Sequence, residues 1–159
     1  MRRKDAEYKA LLMQINPHFL YNTLEGIGSL AVQGRTDEVV DITEALGSML
    51  RYSLKTDREL VKLSEEMQYI RHYVAILRVR FGDRLEIGIR EDPSIGSASI
   101  VRFILQPLVE NAVKFSLENG DVAKVEISTA RRDGRLEISV KDNGIGMKPE
   151  LIDELYRLV

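Results

Sequence analysis

The chain has 159 residues, of which 44% are apolar and 30% charged, and its formal net charge is −2. This length suits one ordinary domain or two small ones, and the charge gives no general attraction to nucleic acid. The chain has no cysteine, which excludes disulfides and thiolate metal sites, and no apolar stretch approaches the roughly 18 residues of a membrane span. We therefore expect no nucleic-acid and no membrane contact by this chain, and any anchor of a parent protein outside it.

The first half of the chain has the apolar spacing of three and four residues that is typical of helices. Residues 5–33 and 36–54 predict two helices, and the short link between them predicts that they are antiparallel neighbours. Residues 55–62 are charged and weakly periodic, which predicts a loop. Ser64 is the predicted N-cap of a third helix that ends near Phe81.

The second half of the chain mixes strand and helix patterns. The predicted elements are strands around residues 85–89, 125–129 and 136–140, helices over residues 100–116 and 150–158, and a loop over residues 91–99. The turn at Arg132–Gly134 makes the last two strands a hairpin. The predicted fold class is therefore α+β, with a helical module at residues 1–81 and an α+β module at residues 82–159.

One face of the first predicted helix carries Gln14, His18, Asn22 and Glu25. A phosphoryl acceptor needs an exposed imidazole with a free, neutral attacking nitrogen, and histidine meets this requirement near neutral pH. Asn22, one turn on, could bond the other ring nitrogen or orient a water, whereas Glu25 is a less suitable proton acceptor. A partly buried, structural role in a helix interface is the alternative for His18. His72 has no such sequence context, and we interpret it as a structural or surface histidine.

Pro17 leaves two possibilities for the backbone beside His18, because it lacks an N–H donor and disfavours helix at Asn16. The helix could be kinked at Pro17, which would free a carbonyl near His18. Alternatively, Asn16 could cap a new helix with Pro17 in its first position, which would place His18 near a positive dipole end. We favour the kink.

A predicted strand ends in Asp142, and the two glycines of an Asp-x-Gly-x-Gly pattern follow it. The Asp142 carboxylate at the end of the strand could accept a hydrogen bond from an amino group of a ligand. Gly144 and Gly146 would supply positive φ angles and close backbone approach. Alone, this pattern is most often a turn after a strand.

The helix predicted over residues 100–116 contains an unusual polar group. The side-chain oxygen of Asn111 could hold Mg²⁺, and Lys114, three residues on, could meet a phosphate. Glu110 could orient a water or act as a base. Polar residues in a mostly apolar helix cost stability unless they are satisfied or used.

Residues 14–22, 105–114 and 142–146 occur in an order that resembles a sensor histidine kinase, in particular its LytS/YesM-type branch. The resemblance implies a helical dimerisation and phosphoacceptor domain at residues 1–81. It implies an incomplete ATP-binding domain of the GHKL (Bergerat-type) α/β sandwich at residues 82–159, without the lid and last strands. Members of this branch continue past the last helix, so we expect this chain to be a fragment that binds ATP weakly or not at all.

The resemblance also implies a function, which is the transmitter of a two-component system. Such a protein binds Mg-ATP through Asn111, Lys114, Asp142, Gly144 and Gly146, and phosphorylates its own histidine. It forms a homodimer and passes the phosphoryl group to an aspartate of a response-regulator protein. It would be the cytoplasmic portion of a membrane-anchored bacterial sensor.

The catalytic residues that the resemblance implies are His18, Asn22 and Glu110, and two positions depart from the family pattern. Phe19 follows the histidine where many of these kinases have an acid, and Phe115 stands where this branch commonly has a histidine. The missing acid after His18 and the expected truncation leave open a dimerising, nucleotide-sensing scaffold without phosphotransfer. A further alternative is a GHKL-type ATPase in which Glu110 activates water.

Overall fold

The computed structural model describes residues 16–55 and 58–157, and the chain divides into two compact units. The first unit contains the described residues up to Gly82 together with Pro93–Gln106. The second contains Asp83–Asp92 and the described residues from Pro107 onward. Pro93–Gln106 follows the predicted domain boundary at residues 81–82 and yet belongs to the first unit. The division into domains at that boundary stays a prediction.

Helix α1 spans Pro17–Val32 in the first unit. Asn16 is its N-cap, with non-helical angles of φ −52° and ψ 118°, and the Asn16 side chain accepts a hydrogen bond from the His18 backbone N–H. The kink favoured at Pro17 is therefore wrong, because the amide side chain of Asn16 satisfies a free N–H of the first turn and proline fits the first helical position. The part of the predicted helix at residues 5–15 lies outside the described residues.

Two further helices lie among the described residues of this unit, α2 at Thr36–Lys55 and α3 at Leu63–Phe81. Helix α3 begins one residue before the predicted cap Ser64, and the Glu65 carboxylate accepts a hydrogen bond from the Lys62 backbone N–H at 3.0 Å. The core is apolar and comes from all three helices; its members include Phe19, Leu30, Ile42, Met49, Met67, Ile70 and Val74.

The first unit also holds a small antiparallel sheet that the sequence did not predict. Strand β1 spans Leu60–Lys62 and pairs with β3 at Ser99–Val101. The loops predicted over residues 55–62 and 91–99 are therefore wrong at these positions. Each strand has three residues with one buried side chain, which is too short for an alternating pattern to be recognised.

The second unit is built on a three-stranded sheet in the order β2-β4-β5. Strand β2 spans Leu85–Arg90 and lies parallel to β4 at Ala123–Arg132, which is antiparallel to β5 at Arg135–Asp142. The predicted hairpin is present. Asp133 and Gly134 have φ angles of 50° and 75°, which suits the turn that joins strands of normal twist.

Helix α4 spans Leu105–Asn119, and α5 spans Pro149–Arg157. The helix predicted over residues 100–116 is wrong at its start, because β3 and a turn at residues 102–104 precede α4. The buried side of α4 follows helical spacing and includes Val109, Ala112, Val113 and Ser116. A helical first part and an α/β second part confirm the predicted α+β class. None of the helices among the described residues has the length and apolar character to cross a membrane.

Candidate active site

His18 is exposed in the first turn of α1. The amide nitrogen of Asn22 lies 3.2 Å from Nδ1 and 3.3 Å from Nε2 of this histidine. A neutral imidazole has one nitrogen with a lone pair, so the amide donates to whichever nitrogen accepts. The free N–H groups of a helix N-terminus also favour an anion beside this ring. The arrangement suits a reversible phosphoryl acceptor.

Phe19 explains why no acid follows the histidine in this chain. Its side chain is 6% exposed, and its ring centroid lies 5.1 Å from that of Tyr73 on α3. Thr23 is also buried and its hydroxyl donates to the Phe19 carbonyl at 2.7 Å. An acid at position 19 would be a buried charge, which costs far more than an apolar side chain. Packing of Phe19 therefore holds the His18 side of α1 towards solvent, where Glu25 is exposed as well.

In the second unit, Asp142 ends β5 and is exposed. Its Oδ1 accepts a hydrogen bond from the Gly144 N–H at 2.7 Å. This bond engages one carboxylate oxygen and fixes the direction of the side chain. A carboxylate held in this way can accept a hydrogen bond from an amino group through its other oxygen.

The two glycines have different roles. A Cβ on Gly144 would lie 2.7 Å from Asp142 Oδ1 and 3.1 Å from the backbone carbon of Phe115, so only glycine allows this approach to α4. Gly146 has a φ angle of 71°, and a Cβ there would meet nothing within 4 Å. Gly144 therefore supplies close approach and Gly146 supplies the positive φ angle, whereas the sequence analysis assigned both properties to both residues.

Asn143 and Asn119 are residues that the sequence analysis missed. Asn143 accepts from the Lys124 N–H at 2.8 Å and donates to the Val122 carbonyl at 3.0 Å. The Asn119 amide donates to the Asn143 carbonyl at 2.9 Å. The sequence signal for Asn143 was its position inside the Asp-x-Gly-x-Gly pattern. The hydrogen-bond partners of both asparagines are distant in the sequence.

Glu110, Asn111 and Lys114 are exposed on α4, while Val109 and its buried neighbours face the other way. The Lys114 ammonium lies 5.5 Å from the centroid of the Phe115 ring, whose backbone contacts Gly144. Lys114 therefore precedes, along α4, the residue that Gly144 approaches.

Magnesium ions in proteins are bound by oxygen ligands. The described residues contain no cluster of three or more histidine, cysteine or acidic side chains that could hold a metal. A Mg²⁺ ion that is carried by a nucleotide takes one or two protein oxygens and completes its shell with phosphates and water. The exposed Asn111 could provide such an oxygen.

A buried acid was also missed by the sequence analysis. Glu66 on α3 is 0% exposed, and Tyr52 donates its hydroxyl to Glu66 Oε2 at 2.8 Å. Burial raises the pKa of Glu66, opposed by the Tyr52 bond, by backbone N–H groups of Phe103 and Leu105 and by the Arg102 charge. Burial likewise raises the pKa values of Tyr52 and Tyr69. The available signal was the position of Glu66 on the apolar face of α3.

His72 lines an open cleft of about 400 Å³ in the first unit, together with Tyr52, Gln68 and Tyr69. Burial is the main cause that lowers its pKa, followed by the charges of Arg51 and Arg71. The ring contacts the Gln68 amide at 3.3 Å. These contacts support our interpretation of His72 as a structural residue.

Comparison with known proteins gives two matches to family models. Residues 6–85 match the family described as histidine kinase. Residues 96–158 match the family described as histidine kinase-, DNA gyrase B-, and HSP90-like ATPase. The two matched segments contain every residue discussed above as a candidate for phosphotransfer or nucleotide binding.

Three similar curated proteins have names that describe sensor kinases or a sensor-like kinase. The chain is 38% identical over 151 residues to "Sensor histidine kinase YesM" of Bacillus subtilis, an alignment that covers 94% of this chain and 26% of the relative. It is 37% identical over 148 residues to "Sensor protein kinase HptS" of Staphylococcus aureus, covering 92% of this chain and 28% of the relative. An "Uncharacterized sensor-like histidine kinase" of Staphylococcus epidermidis is 37% identical over 154 residues, covering 97% of this chain and 30% of that protein. The chain thus spans less than a third of these relatives' lengths.

Proposed function

The chain belongs to the histidine kinase family, and from this premise we propose that it is the transmitter region of a two-component sensor kinase. In the full-length protein, this transmitter binds Mg-ATP and transfers the γ-phosphoryl group to its own histidine. The observation that carries the proposal is the placement of His18, exposed in the first turn of α1 with Asn22 on its ring. The transmitter is the cytoplasmic portion of a membrane-anchored bacterial sensor.

In the transfer step, one ring nitrogen of His18 attacks the γ-phosphorus. A nitrogen–phosphorus bond forms, the bond from phosphorus to the β–γ bridging oxygen breaks, and ADP leaves with that bonding pair. The proton on the other ring nitrogen is then lost to solvent. The Asn22 amide N–H lies against the ring and leaves the attacking nitrogen when the phosphoryl group arrives, and the α1 N-terminus stabilises negative charge on that group. Most of the rate enhancement comes from positioning and charge neutralisation.

The nucleotide site is assigned to the second unit. Asp142 accepts from the adenine amino group, and Gly144 lets the nucleotide-binding backbone lie against α4. Lys114 provides a positive charge for a phosphate, and Asn111 provides an oxygen to Mg²⁺, which neutralises phosphate charge when bound. Glu110 is exposed on the same helix and orients water or accepts a proton.

Two partners follow from this function. A second copy of the chain forms a helical bundle with α1 and α2, whose exposed apolar side chains include Tyr21, Leu24, Val32, Val40 and Leu54. A response regulator then takes the phosphoryl group from His18 onto an aspartate. The exposure of the histidine on α1 supports access by such a partner.

The experiment that tests this function uses the matched pair of the chain's two histidines. The full-length natural protein is incubated with Mg²⁺ and γ-labelled ATP, beside His18→Gln and His72→Gln. Wild type and His72→Gln should take up label that is acid-labile and base-stable, and His18→Gln should take up none. Label of equal amount in all three proteins would contradict the assignment of His18.

One observation favours a second function. Phe19 occupies the place of the acid that follows the histidine in many of these kinases, and it is buried in the core. A nucleotide-sensing scaffold without phosphotransfer needs no such acid. It predicts ATP binding with no label on any of the three proteins.

A further inference from the structure

We propose that Asn143 and Asn119 are positioning residues of the nucleotide site, which fix the Asp142–Gly144 segment before nucleotide arrives. The proposal rests on the function proposed above and deepens it. It assigns the two asparagines to nucleotide affinity and leaves the chemical step to other residues. Its evidence is a set of hydrogen bonds within the second unit.

The side chain of Asn143 continues the sheet at the point where the main chain leaves it. Val125 and Asp142 are the last paired residues of β4 and β5 at this end. One residue further on, the Asn143 side chain takes the place of a backbone peptide group. Its Oδ1 accepts from the Lys124 N–H and its Nδ2 donates to the Val122 carbonyl. The main chain is thereby free to turn towards Gly144.

The Asn143 backbone is held from a second direction. Its carbonyl accepts the side-chain N–H of Asn119, the last residue of α4, at 2.9 Å. Strand β4 and helix α4 therefore both hold the residue that stands between the proposed adenine ligand Asp142 and the close-approach residue Gly144. Movement of the segment would require these bonds to open together.

The chemistry at position 143 suits an asparagine. The site needs one acceptor for an N–H and one donor for a carbonyl at a fixed spacing, and a primary amide offers both. Aspartate has the same shape, but it would place a carboxylate oxygen against the Val122 carbonyl. Serine or alanine would leave at least one of the two backbone groups without this partner.

The proposal predicts different effects on nucleotide affinity and on the rate of His18 phosphorylation. The asparagine bonds hold the backbone from which Asp142 and Gly144 make their own bond at 2.7 Å. A pre-formed segment spares the cost of ordering it when nucleotide binds. Loss of an anchor should therefore weaken nucleotide binding, while His18 phosphorylation at saturating ATP keeps its rate.

The test uses the full-length protein with Asn119→Ala, Asn143→Asp and the control Glu118→Ala, an exposed change in the same turn of α4. ATP affinity, the KM for ATP, kcat for His18 phosphorylation and Tm are measured for each. Asn119→Ala should raise Kd and KM by about 3- to 10-fold, the effect of one lost hydrogen bond, with kcat within twofold and Tm like Glu118→Ala. Asn143→Asp should raise Kd and KM further.

Two results would overturn the proposal. ATP affinity of Asn119→Ala and Asn143→Asp equal to that of Glu118→Ala would show that the anchors do not act on the site. Losses of kcat and Tm without a change in KM would assign the asparagines a merely structural role. If wild type binds ATP without labelling His18, the proposed function fails and the affinity comparison still decides this inference. Absence of ATP binding by wild type would overturn both.

Discussion

At the scale of single residues, Glu66 shows how packing sets the chemistry of a side chain. The carboxylic acid is completely buried in the first unit, where Tyr52 Oη is its hydrogen-bond donor. The Tyr52 hydrogen bond and the backbone N–H groups of Phe103 and Leu105 act to lower its pKa. Because burial outweighs these opposing effects, the pKa of Glu66 lies above its ordinary value of 4.5.

A raised pKa makes stability depend on pH in a definite direction. The folded protein keeps the Glu66 proton at pH values where the unfolded chain has lost it, so stability falls as pH rises from about 4.5 towards the raised pKa. The cost is about 1.4 kcal/mol for each unit by which the pKa is raised. Glu66→Gln cannot lose a proton and should escape this loss.

The measurement is the free energy of unfolding of wild type and Glu66→Gln between about pH 4 and pH 8, a range that begins near the ordinary pKa of a carboxylic acid. The difference, Glu66→Gln minus wild type, should become more positive as pH rises. Glu65→Gln is the control, because Glu65 is exposed on the neighbouring position of α3. A pH-independent difference for Glu66→Gln would contradict the raised pKa.

At the scale of elements, the loop after β5 depends on one close approach. Gly144 lies against Phe115 of α4 so closely that a Cβ would come within 3.2 Å of that residue's backbone and Cβ. Backbone atoms at the end of a packed helix cannot move aside as a flexible side chain can. The loop and α4 can therefore lie this close together only because residue 144 has no side chain.

Gly144→Ala should separate the loop from α4. We expect a loss of about 1–3 kcal/mol in the free energy of unfolding from overpacking, and an ATP affinity lower by about tenfold or more. Gly120→Ala is the control, since a Cβ there would meet nothing within 4 Å. Calorimetric ATP titration and chemical unfolding of both variants provide the check. Equal ATP affinities for the two variants would refute the role given to Gly144.

Some of the helices and strands could be predicted from the sequence, and others could not. The β4–β5 hairpin was predictable, because long alternating strands flank an Asp133-Gly134 turn. Strands β1 and β3 were not, because three residues carry no recognisable period. The start of α4 was predicted too early, because an apolar run at residues 100–105 fits helix as well as strand and the turn at Phe103 gives no sequence signal.

The candidate site was predictable to a similar extent. The motifs pointed to His18, Asn111 and Asp142, whose placement as site residues stays a prediction. The anchors Asn119 and Asn143 were not predicted, since their partners depend on which strand ends meet in the fold. The cap at Asn16 was one of two local possibilities, and only the position of the side chain decided between them.

At the scale of the whole molecule, the proposed function needs two copies of the chain. The first unit exposes apolar side chains on α1, among them Tyr21, Leu24 and Val32, which share one helical face. Such a face is stabilised when a second copy covers it. The same helix presents His18, so the proposed dimerisation and the proposed phosphoryl acceptance would both depend on one element.

Leu24→Glu should weaken the dimer, because it places a charge in the centre of the apolar face. We expect the dimer dissociation constant to rise by about tenfold or more, as for a central interface residue. Val101→Glu makes the same kind of change at an exposed position of β3 and should leave the dimer unchanged. Sedimentation velocity over a concentration series measures both variants. A dimer of equal strength in both variants, or a wild-type monomer, would contradict the proposed interface.

The measurement that tests the central claim most directly is the location of the phosphoryl group. The full-length protein is incubated with Mg-ATP, kept at alkaline pH and mapped by fragmentation mass spectrometry. The account predicts the mass of one phosphoryl group on His18 and none on His72. A phosphoryl group on another residue, or an unmodified protein that demonstrably binds ATP, would contradict it.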